Sequence, residues 1–446
     1  MFNRILLISI FIGAWLTLKC IDYFVPGPFI LILICCLCFM MISHCAWLLA
    51  AQKRWHKKLN RAKDRKHPHN EFGTVVEEGA ESDWQPTVDL FISAKNESRV
   101  IEKTVRNMMK IDYPNFLLWI IDDNSNDDMP AILEQLKGEF ANLQVLRRLP
   151  GSYPGKSAAL NEALALSRAE VVCVFDADAY VAPDFLRITL PVLAPEDVGA
   201  VQVQKKIYEH QEGFLVECQS SEYAVDAFWQ MGRDLIGGAV ELRGNGQLIK
   251  RNALIDVGGW NNKTITDDLD LSMRLLIANW DIRFCPHACV YEEAIETWKS
   301  LYRQRKRWAE GSIRRYLDYV LPLNAPSRLS LTERLDLMAF VGEFTIPPLV
   351  AMEVLSEAIN FIIGGPNYPR FFIIVLMVVA LVCQFNFFNG IRLYRHKSIP
   401  ETLWLTSCLT FYSNVIWMPC IFLSLWRIMF RKQGFTWQPT EHFGTG

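Results

Sequence analysis

The chain has 446 residues, of which 51% are hydrophobic, and a formal net charge of −2. This length exceeds one typical domain, and a near-neutral charge gives no reason to expect a nucleic-acid partner. The 12 cysteines form no pair of CxxC motifs, which argues against a zinc ribbon and a disulfide framework. We therefore expect reduced thiols in the cytosol.

The apolar residues are concentrated at the two ends of the chain. Near the N-terminus, residues 5–18 and 29–51 form two apolar runs separated by Pro26-Gly27-Pro28. Two runs joined by a turn predict a membrane hairpin over 1–51 rather than a cleavable signal peptide. A basic and polar linker over 52–86 follows, and the positive-inside rule places the next domain in the cytoplasm. These charges either attract anionic headgroups or are simply solvated.

Residues 87–325 alternate between strand and helix patterns. Strands are predicted at Val88–Ala94, Phe116–Ile121, Leu143–Leu146 and Val171–Phe175, and helices at Ser98–Lys110 and Gly155–Ser167, with Ser98 as a possible N-cap. This rhythm predicts an α/β domain with a doubly wound, mostly parallel sheet.

Polar side chains follow three of these strands. Glu97 comes after the first strand, Asp122 and Asp123 after the second, and Asp176 and Asp178 after the last. Because the carboxyl ends of parallel strands meet at one edge of a sheet, the sequence predicts a nucleotide-sized site there. Paired carboxylates suit Mg²⁺ or Mn²⁺ bound to substrate phosphates. An Asp-rich loop that only caps a helix is the simpler alternative.

Two common nucleotide-binding motifs are missing. No G-x-G-x-x-G follows the first strand, and Gly151 lies one residue short of the Walker A spacing before Gly155-Lys156-Ser157. Lys156 nevertheless begins a predicted helix, where its ammonium and the free N–H groups could hold a diphosphate. It could also be an ordinary surface lysine.

The later part of this region carries two more motifs. Thr266-Asp267-Asp268 opens a helix, with Thr266 as N-cap, and its acids exceed what capping requires, so one is free to act as a base. Residues 297–320 fit an amphipathic helix at a membrane face, with Arg and Lys on the side opposite its apolar residues.

Residues 326–446 predict a C-terminal membrane region of two or three spans, and hence a multi-pass protein. An apolar region at 335–363 contains several glutamates, and the runs Phe371–Ile391 and Leu403–Trp426 follow. An odd number of spans puts the C-terminus outside, whereas the basic residues after Trp426 favour the cytoplasm. The sequence leaves this conflict open.

Four motifs in order resemble the membrane-bound inverting glycosyltransferases of family 2, over roughly residues 87–320. They are Asp122-Asp123, Asp176-x-Asp178, Thr266-Asp267-Asp268 and Gln304-x-x-Arg307-Trp308. Within that family the surrounding segments look most like members that transfer glucose from UDP-glucose to diacylglycerol. The resemblance implies a GT-A type, Rossmann-like catalytic domain, and an inverting transfer that gives a β-linked glucolipid.

The resemblance also implies roles on the donor side. Asp122 or Asp123 contacts the uridine, and Glu97, Lys156 and Arg307 belong to the nucleotide-sugar site. Asp176 supports the nucleotide, and Asp178, with Asp176, coordinates the Mg²⁺ or Mn²⁺ that bridges the diphosphate.

On the acceptor side, the resemblance makes Asp268 the general base. The preceding residue is Asp267 where the family motif has glutamate, which leaves the assignment of the base slightly open. Gln304 and Trp308 border the acceptor, and Arg307 borders both the acceptor and the leaving diphosphate.

Two alternatives remain from the sequence. A processive polysaccharide synthase must pass a polar chain through the bilayer, and four or five spans are few for a channel, whereas diacylglycerol already lies in the membrane. A catalytically silent scaffold is disfavoured because every charged residue of the motifs is present. The sugar donor is expected to be UDP-glucose, but UDP-galactose and UDP-N-acetylglucosamine stay open, as does the oligomeric state.

Overall fold

A computed structural model describes residues 84–324 and 371–430 without a break. It also describes short pieces at 4–9, 48–54, 329–337 and 361–363, with isolated residues near them. Most of the predicted N-terminal hairpin over 1–51, of the linker over 52–86 and of the apolar region at 335–363 lies outside the described residues.

The centre of the fold is one eight-stranded sheet in the order β3-β2-β1-β4-β7-β6-β8-β5. Its strands are β1 Val88–Ala94, β2 Phe116–Asp122, β3 Leu143–Arg147, β4 Val171–Phe175, β5 Tyr180–Val181, β6 Val198–Ile207, β7 Gln247–Lys250 and β8 Asp281–Glu292. The first four strands are mutually parallel, which confirms the predicted doubly wound half. β7 runs antiparallel to both β4 and β6, an arrangement that the sequence pattern did not predict.

Helices cover both faces of the sheet. They are α1 Ile101–Met108, α2 Met129–Glu139, α3 Lys156–Leu166, α4 Phe185–Leu193, α5 Phe214–Ile236, α6 Arg251–Asp256, α7 Asp267–Ile277 and α8 Trp298–Asn324. The side chains of β1 pack against helices on both faces of the sheet. Leu90 and Ile92 belong to one apolar cluster and Phe91 to the other, because successive side chains of a strand point to opposite faces. Burial on both faces matches the mainly apolar sequence of this strand, in which the charged residue Asp89 is buried as well.

The first helix begins later than predicted. It starts at Ile101, and Ser98 does not cap it. The Ser98 amide instead donates to Oδ2 of Asp127, 3.0 Å away, so the segment before the helix is fastened to the loop after β2. A contact between distant parts of the chain has taken the place of the local cap.

The C-terminal helices pack against the catalytic region. They are α9 Phe371–Tyr394, α10 Ile399–Tyr412 and α11 Met418–Phe430, with a π-helical turn at Ser413–Trp417 between the last two. α9 packs closely on α5, because Gly390 lies where a Cβ would come within 2.9 Å of the Val225 backbone. Among the described residues one helical stretch, Ile399–Phe430, is long and apolar enough to cross a bilayer.

Helix α8 confirms the predicted helix at 297–320, but the prediction for its charged side was wrong. Arg305 and Arg315 are buried inside the protein rather than turned away from it. Both arginines find carboxylates there: Arg305 pairs with Glu222 at 2.8 Å and Arg315 with Glu241 at 2.5 Å. A buried guanidinium with a matched carboxylate and hydrogen bonds is a stable arrangement that amphipathic periodicity does not reveal.

Candidate active site

The loops after β1 and β2 are fastened to each other. The Asn96 amide donates to Oγ of Ser125 at 2.9 Å, and the Asn126 amide donates to Oδ1 of Asn96 at 2.9 Å. Asn96 has a φ of 60°, a left-handed conformation that asparagine tolerates better than most residues. Glu97 is half-buried in this loop, and its carbonyl accepts the amides that start α1. The predicted convergence of these strand ends is therefore present.

Asp122 and Asp123 are both held by the protein. Oδ1 of Asp122 accepts the Ser125 amide at 2.8 Å, and its buried Oδ2 has no hydrogen-bond partner among the described groups. Asp123 accepts a hydrogen bond from the buried Arg148 and the Gly155 amide at 3.3 Å. Asp123 thus fixes the start of α3, and Asp122 keeps one acceptor oxygen without a hydrogen bond, 3.7 Å from Nε of Arg147.

Lys156 reaches the carboxylate that follows β4. Its Nζ lies 2.5 Å from Oδ1 of Asp176 and 3.3 Å from the carbonyl oxygen of Gly244. Burial alone would lower the pKa of this ammonium, but the attraction of Asp176, Asp267 and Asp268 raises it. Lys156 is therefore a charged group between two acidic motifs, and not a solvated surface lysine.

Asp178 lies in a turn that follows β4. The amide of Ala179 donates to the carbonyl of Asp176 at 3.1 Å, which bends the chain directly after β4. Asp178 is buried, and its Oδ2 accepts the Glu293 amide at 2.9 Å. Among the described residues no three His, Cys, Asp or Glu side chains gather to hold a metal ion. A cation here would need further oxygen ligands from a substrate.

The acids that open α7 divide into two groups. Asp270 is buried, and its carboxylate pairs with Arg274 at 2.8 Å and accepts the Tyr319 hydroxyl at 2.9 Å. Asp267 and Asp268 are half-buried, and burial raises the pKa of both. Repulsion from Asp176 adds to the effect on Asp267, and repulsion from Asp267 adds to the effect on Asp268, whose pKa rises to about 6. A carboxyl with such a pKa is charged at neutral pH and still a fair proton acceptor.

Thr266 occupies the N-cap position, but its side chain makes no capping hydrogen bond, so that part of the prediction was wrong. Its side chain instead contacts Gly311 of α8. The acidic turn is therefore set in place by packing between α7 and α8.

Arg307 lies among the acidic groups of the site. Burial lowers the pKa of its guanidinium, while the nearby charges of Asp176, Asp267 and Asp268 act in the opposite direction. The same carboxylates act on Lys156. Two cations from α3 and α8 thus share the carboxylates that follow β4 and open α7, which brings together motifs more than a hundred residues apart in sequence.

Gln304 and Trp308 are half-buried on α8 and are held by the residue between them. Arg305 donates to Oε1 of Gln304, and its guanidinium carbon lies 4.0 Å from the centroid of the Trp308 ring. On the other side Nζ of Lys205 lies 5.5 Å from that centroid. Trp308 is thus oriented by two cations.

A polar cluster beneath the site was not predicted from the sequence. Glu292 accepts hydrogen bonds from Tyr223 and, at 3.0 Å, from Asn245, and it pairs with Lys205 at 3.0 Å. Oδ1 of Asn245 accepts the Asp176 amide at 3.2 Å, which ties this cluster to the acidic turn after β4. Its members come from β6, α5, the loop before β7 and the end of β8. The only sequence signal was the polar loop around Asn245.

Comparison with known proteins agrees with this geometry. Residues 86–311 match the family model described as glycosyltransferase like family 2. A solved structure of a mannosyltransferase from Pyrobaculum calidifontis, in complex with GDP-Man and Mn²⁺, aligns with a TM-score of 0.54 at 18% identity, covering 85% of this chain and 99% of that one. The chain belongs to glycosyltransferase family 2 and has a GT-A type fold.

Among curated relatives, the β-monoglucosyldiacylglycerol synthases of Nostoc sp. and Synechocystis sp. are each 38% identical to this chain. The similarity covers 81% of this chain and 77% of the Nostoc protein, and 80% of this chain and 75% of the Synechocystis protein. A poly-β-1,6-N-acetyl-D-glucosamine synthase of Staphylococcus epidermidis is 29% identical over 55% of this chain and 59% of its own length.

Proposed function

We propose that this glycosyltransferase moves glucose from UDP-glucose to 1,2-diacylglycerol and forms β-monoglucosyldiacylglycerol. The observation that carries the proposal is the extent of similarity to the synthases of that glucolipid. It runs over 368 residues, well beyond the family domain at 86–311. The match to the poly-N-acetylglucosamine synthase extends over 255 residues. The shared segments outside the family domain favour a lipid acceptor over a growing polysaccharide.

On the donor side, UDP-glucose lies at the carboxyl ends of β1, β2 and β4, where open α/β sheets bind ligands. The uridine contacts Asp122 or Asp123. Oδ2 of Asp122 accepts no hydrogen bond and lies 3.7 Å from Nε of Arg147, which favours Asp122. Glu97 lies in the adjoining loop. Lys156 and Arg307, which share the carboxylates of this site, hold the diphosphate.

A divalent cation, Mg²⁺ or Mn²⁺, fits Asp176 and Asp178 as a donor-dependent site. Two carboxylates in one turn, without a third protein ligand in the described part of the chain, suit an ion that takes its remaining ligands from phosphate and water. When bound, such a cation neutralises charge that develops on the leaving diphosphate. Lys156 already forms an ion pair with Asp176. When the donor binds, the ammonium of Lys156 is shared between this carboxylate and the phosphates.

The transfer is one displacement at the anomeric carbon. The diacylglycerol hydroxyl oxygen forms a bond to that carbon, the carbon–phosphate oxygen bond breaks, and UDP leaves with the electron pair. Asp268 accepts the hydroxyl proton, a step that typically contributes about 10²–10⁴-fold. Lys156 and Arg307 stabilise the negative charge of the departing UDP. Gln304 and Trp308 border the acceptor, next to the C-terminal helices.

The reaction takes place at a membrane. The stretch Ile399–Phe430 can cross a bilayer and packs on both α5 and α8, so the acceptor side of the site adjoins it. We propose an integral multi-pass protein with its catalytic domain, residues 87–325, on the cytoplasmic face. The N-terminal hairpin over 1–51, the basic linker over 52–86 and the membrane region over 326–446 complete this arrangement.

Transfer from radiolabelled UDP-glucose by the full-length protein tests the proposal. The reaction contains dioleoylglycerol and Mg²⁺, and chloroform-soluble product is separated from polymer. Label in a single lipid that depends on dioleoylglycerol supports the proposal. Label in polymer, with none in lipid, refutes it in favour of a polysaccharide synthase. Absence of both, together with no release of UDP, points to a scaffold.

A further inference from the structure

Glu222 of α5 accepts hydrogen bonds from three different parts of the chain. Arg305 of α8 donates at 2.8 Å, the Tyr412 hydroxyl at 3.0 Å and Nε1 of Trp417 at 2.8 Å. We call these four residues the Glu222 node. Tyr412 precedes the π-helical turn of the candidate membrane-crossing stretch and Trp417 is the last residue of that turn, so one carboxylate connects the stretch to the catalytic domain.

Arg305 carries this connection into the acceptor motif. Each of its guanidinium nitrogens has a different partner: Nε donates to the Tyr412 hydroxyl at 3.2 Å, Nη2 to Glu222 and Nη1 to Gln304. The flat guanidinium face lies against the Trp308 ring. Since Arg305 is fully buried and none of these nitrogens is spare, a shift of Tyr412 or Glu222 must move Arg305, and with it Gln304 and Trp308.

The π-helical turn is what lets both residues of the stretch reach Glu222. In a regular α-helix, positions five residues apart point about 140° away from each other. Here the helix is wound wider over Ser413–Trp417, with the Met418 amide bonded to the Ser413 carbonyl. Tyr412 and Trp417 consequently lie on one face. Such turns interrupt helices at a cost in regular hydrogen bonding and are frequent at functional sites.

From this geometry we infer that Glu222, Arg305 and Tyr412 are positioning residues for the acceptor. The node makes acceptor transfer depend on correct docking of the stretch Ile399–Phe430. The donor side is held mainly by residues on β2, β4 and α3, together with Arg307 of α8, which is not a member of the node. The inference rests on the proposed function for its choice of acceptor. It assigns no role in bond breaking to the node.

The variant Tyr412→Phe tests the node with the smallest structural change, since it removes one hydroxyl and keeps the ring. Trp417→Phe is the second variant, because it removes the Nε1–H donor. The control is Thr410→Val: the Thr410 hydroxyl accepts a hydrogen bond from Gln384 of α9 at 2.6 Å and touches no member of the node. The three variants and the wild type are assayed as full-length proteins in mixed micelles. The concentration of dioleoylglycerol is varied at fixed UDP-glucose, and that of UDP-glucose at fixed dioleoylglycerol.

We expect Tyr412→Phe to lower kcat/KM for dioleoylglycerol about 10- to 100-fold, as small misplacements of reacting groups do, with KM for UDP-glucose and the affinity for UDP unchanged. Trp417→Phe shifts the same parameter in the same direction, and Thr410→Val shifts neither. An equal loss on donor and acceptor parameters, or no loss in either node variant, overturns the inference. The wild-type protein is assayed first. If it makes no glucolipid, the proposed acceptor is refuted, independently of the node variants.

Discussion

Gly311 of α8 lies directly against Thr266, the residue before the two half-buried aspartates. A Cβ added at Gly311 would lie 2.7 Å from Oγ1 of Thr266 and closer still to its Cγ2. Glycine at this position therefore lets α8, which carries Arg307 and Trp308, approach the turn that carries Asp268. The position of Asp268 relative to Arg307 and Trp308 therefore depends on this contact.

Gly311→Ala should separate the two helices and reduce transfer about 10- to 100-fold, because the proposed base and Arg307 would no longer face one site. The matched control is Gly138→Ala in α2, where nothing lies within 4 Å of an added Cβ. There alanine should be neutral or stabilise the helix by up to about 1 kcal/mol. Steady-state rates and thermal inactivation of both variants check this. Equal activity in the two variants would contradict the packing argument.

Asp268→Asn should reduce transfer about 10²–10⁴-fold while UDP-glucose binding is retained, because an amide cannot accept the hydroxyl proton. Asp267→Asn is the informative comparison, since the neighbouring acid has the same environment. It should lose much less activity. Turnover and titration of UDP-glucose binding measure the two effects, and the opposite ranking would make Asp267 the base.

The pH dependence follows from the same carboxyl. Burial first, and then Asp267, raise the pKa of Asp268 to about 6. Below that pH the carboxyl is protonated and cannot act as a base, so kcat should fall about tenfold per pH unit, and it should level off above it. Asp281 also has a pKa raised by burial to about 6, but it lies at the opposite end of β8 from Glu292. Asp281→Asn should leave the decrease of kcat at low pH unchanged. If the substitution shifts the pH at which kcat falls, the group that titrates is Asp281 and not Asp268.

Lys156→Ala should weaken transfer by about 10²–10³-fold, since one charge that stabilises the leaving diphosphate is lost. The variant also leaves Asp176 without the ammonium at 2.5 Å. Lys137→Ala, an exposed lysine near the end of α2, is the control and should have no effect. Initial rates at varied UDP-glucose concentration provide the measurement. If both lysine variants behave like the wild type, Lys156 is not part of the donor site.

Glu241→Gln should destabilise the fold by about 3–5 kcal/mol, because the buried carboxylate neutralises three arginines. Arg315, Arg243 and Arg233 lie 2.5, 3.1 and 3.2 Å from its oxygens. Burial would raise the pKa of Glu241, but these arginines hold it at about 2, below the ordinary value. Its contribution to stability is therefore complete at neutral pH and is lost only as the pH falls toward 2.

Glu139→Gln is the control for that change. Glu139 pairs with Arg106 at 2.8 Å on the surface, where solvent screens the pair and it contributes little to stability. Thermal inactivation of the two variants should differ clearly. Similar midpoints would mean that the buried cluster is no more important than a surface pair.

The sequence predicted those parts of the fold that depend on local pattern. Mainly apolar runs ending in polar residues identified β1 to β4 to within about one residue. The signal is plainest for β4, which is buried along its whole length. The same reasoning placed the acidic strand ends at one edge. The roles of the individual site residues are still predictions, which the variants above test.

Other features depend on contacts between distant segments and left no local signal. The antiparallel β7 between β4 and β6 is a short run whose partners are set by the whole sheet. Ser98 looked like a cap, but Asp127 bonds its amide instead. Arg305 looked like part of a solvated basic face, and its buried position depends on Glu222 and Tyr412, which are far away in sequence.

The anomeric configuration of the lipid product tests the central claim most directly. Wild-type protein is incubated with UDP-glucose, dioleoylglycerol and Mg²⁺, and the purified glycolipid is analysed by proton NMR. A single displacement on α-linked UDP-glucose, with Asp268 as the base, predicts a β-glucoside that Asp268→Asn fails to form. An α-glucoside, or a β-glucoside formed equally well by Asp268→Asn, would contradict it.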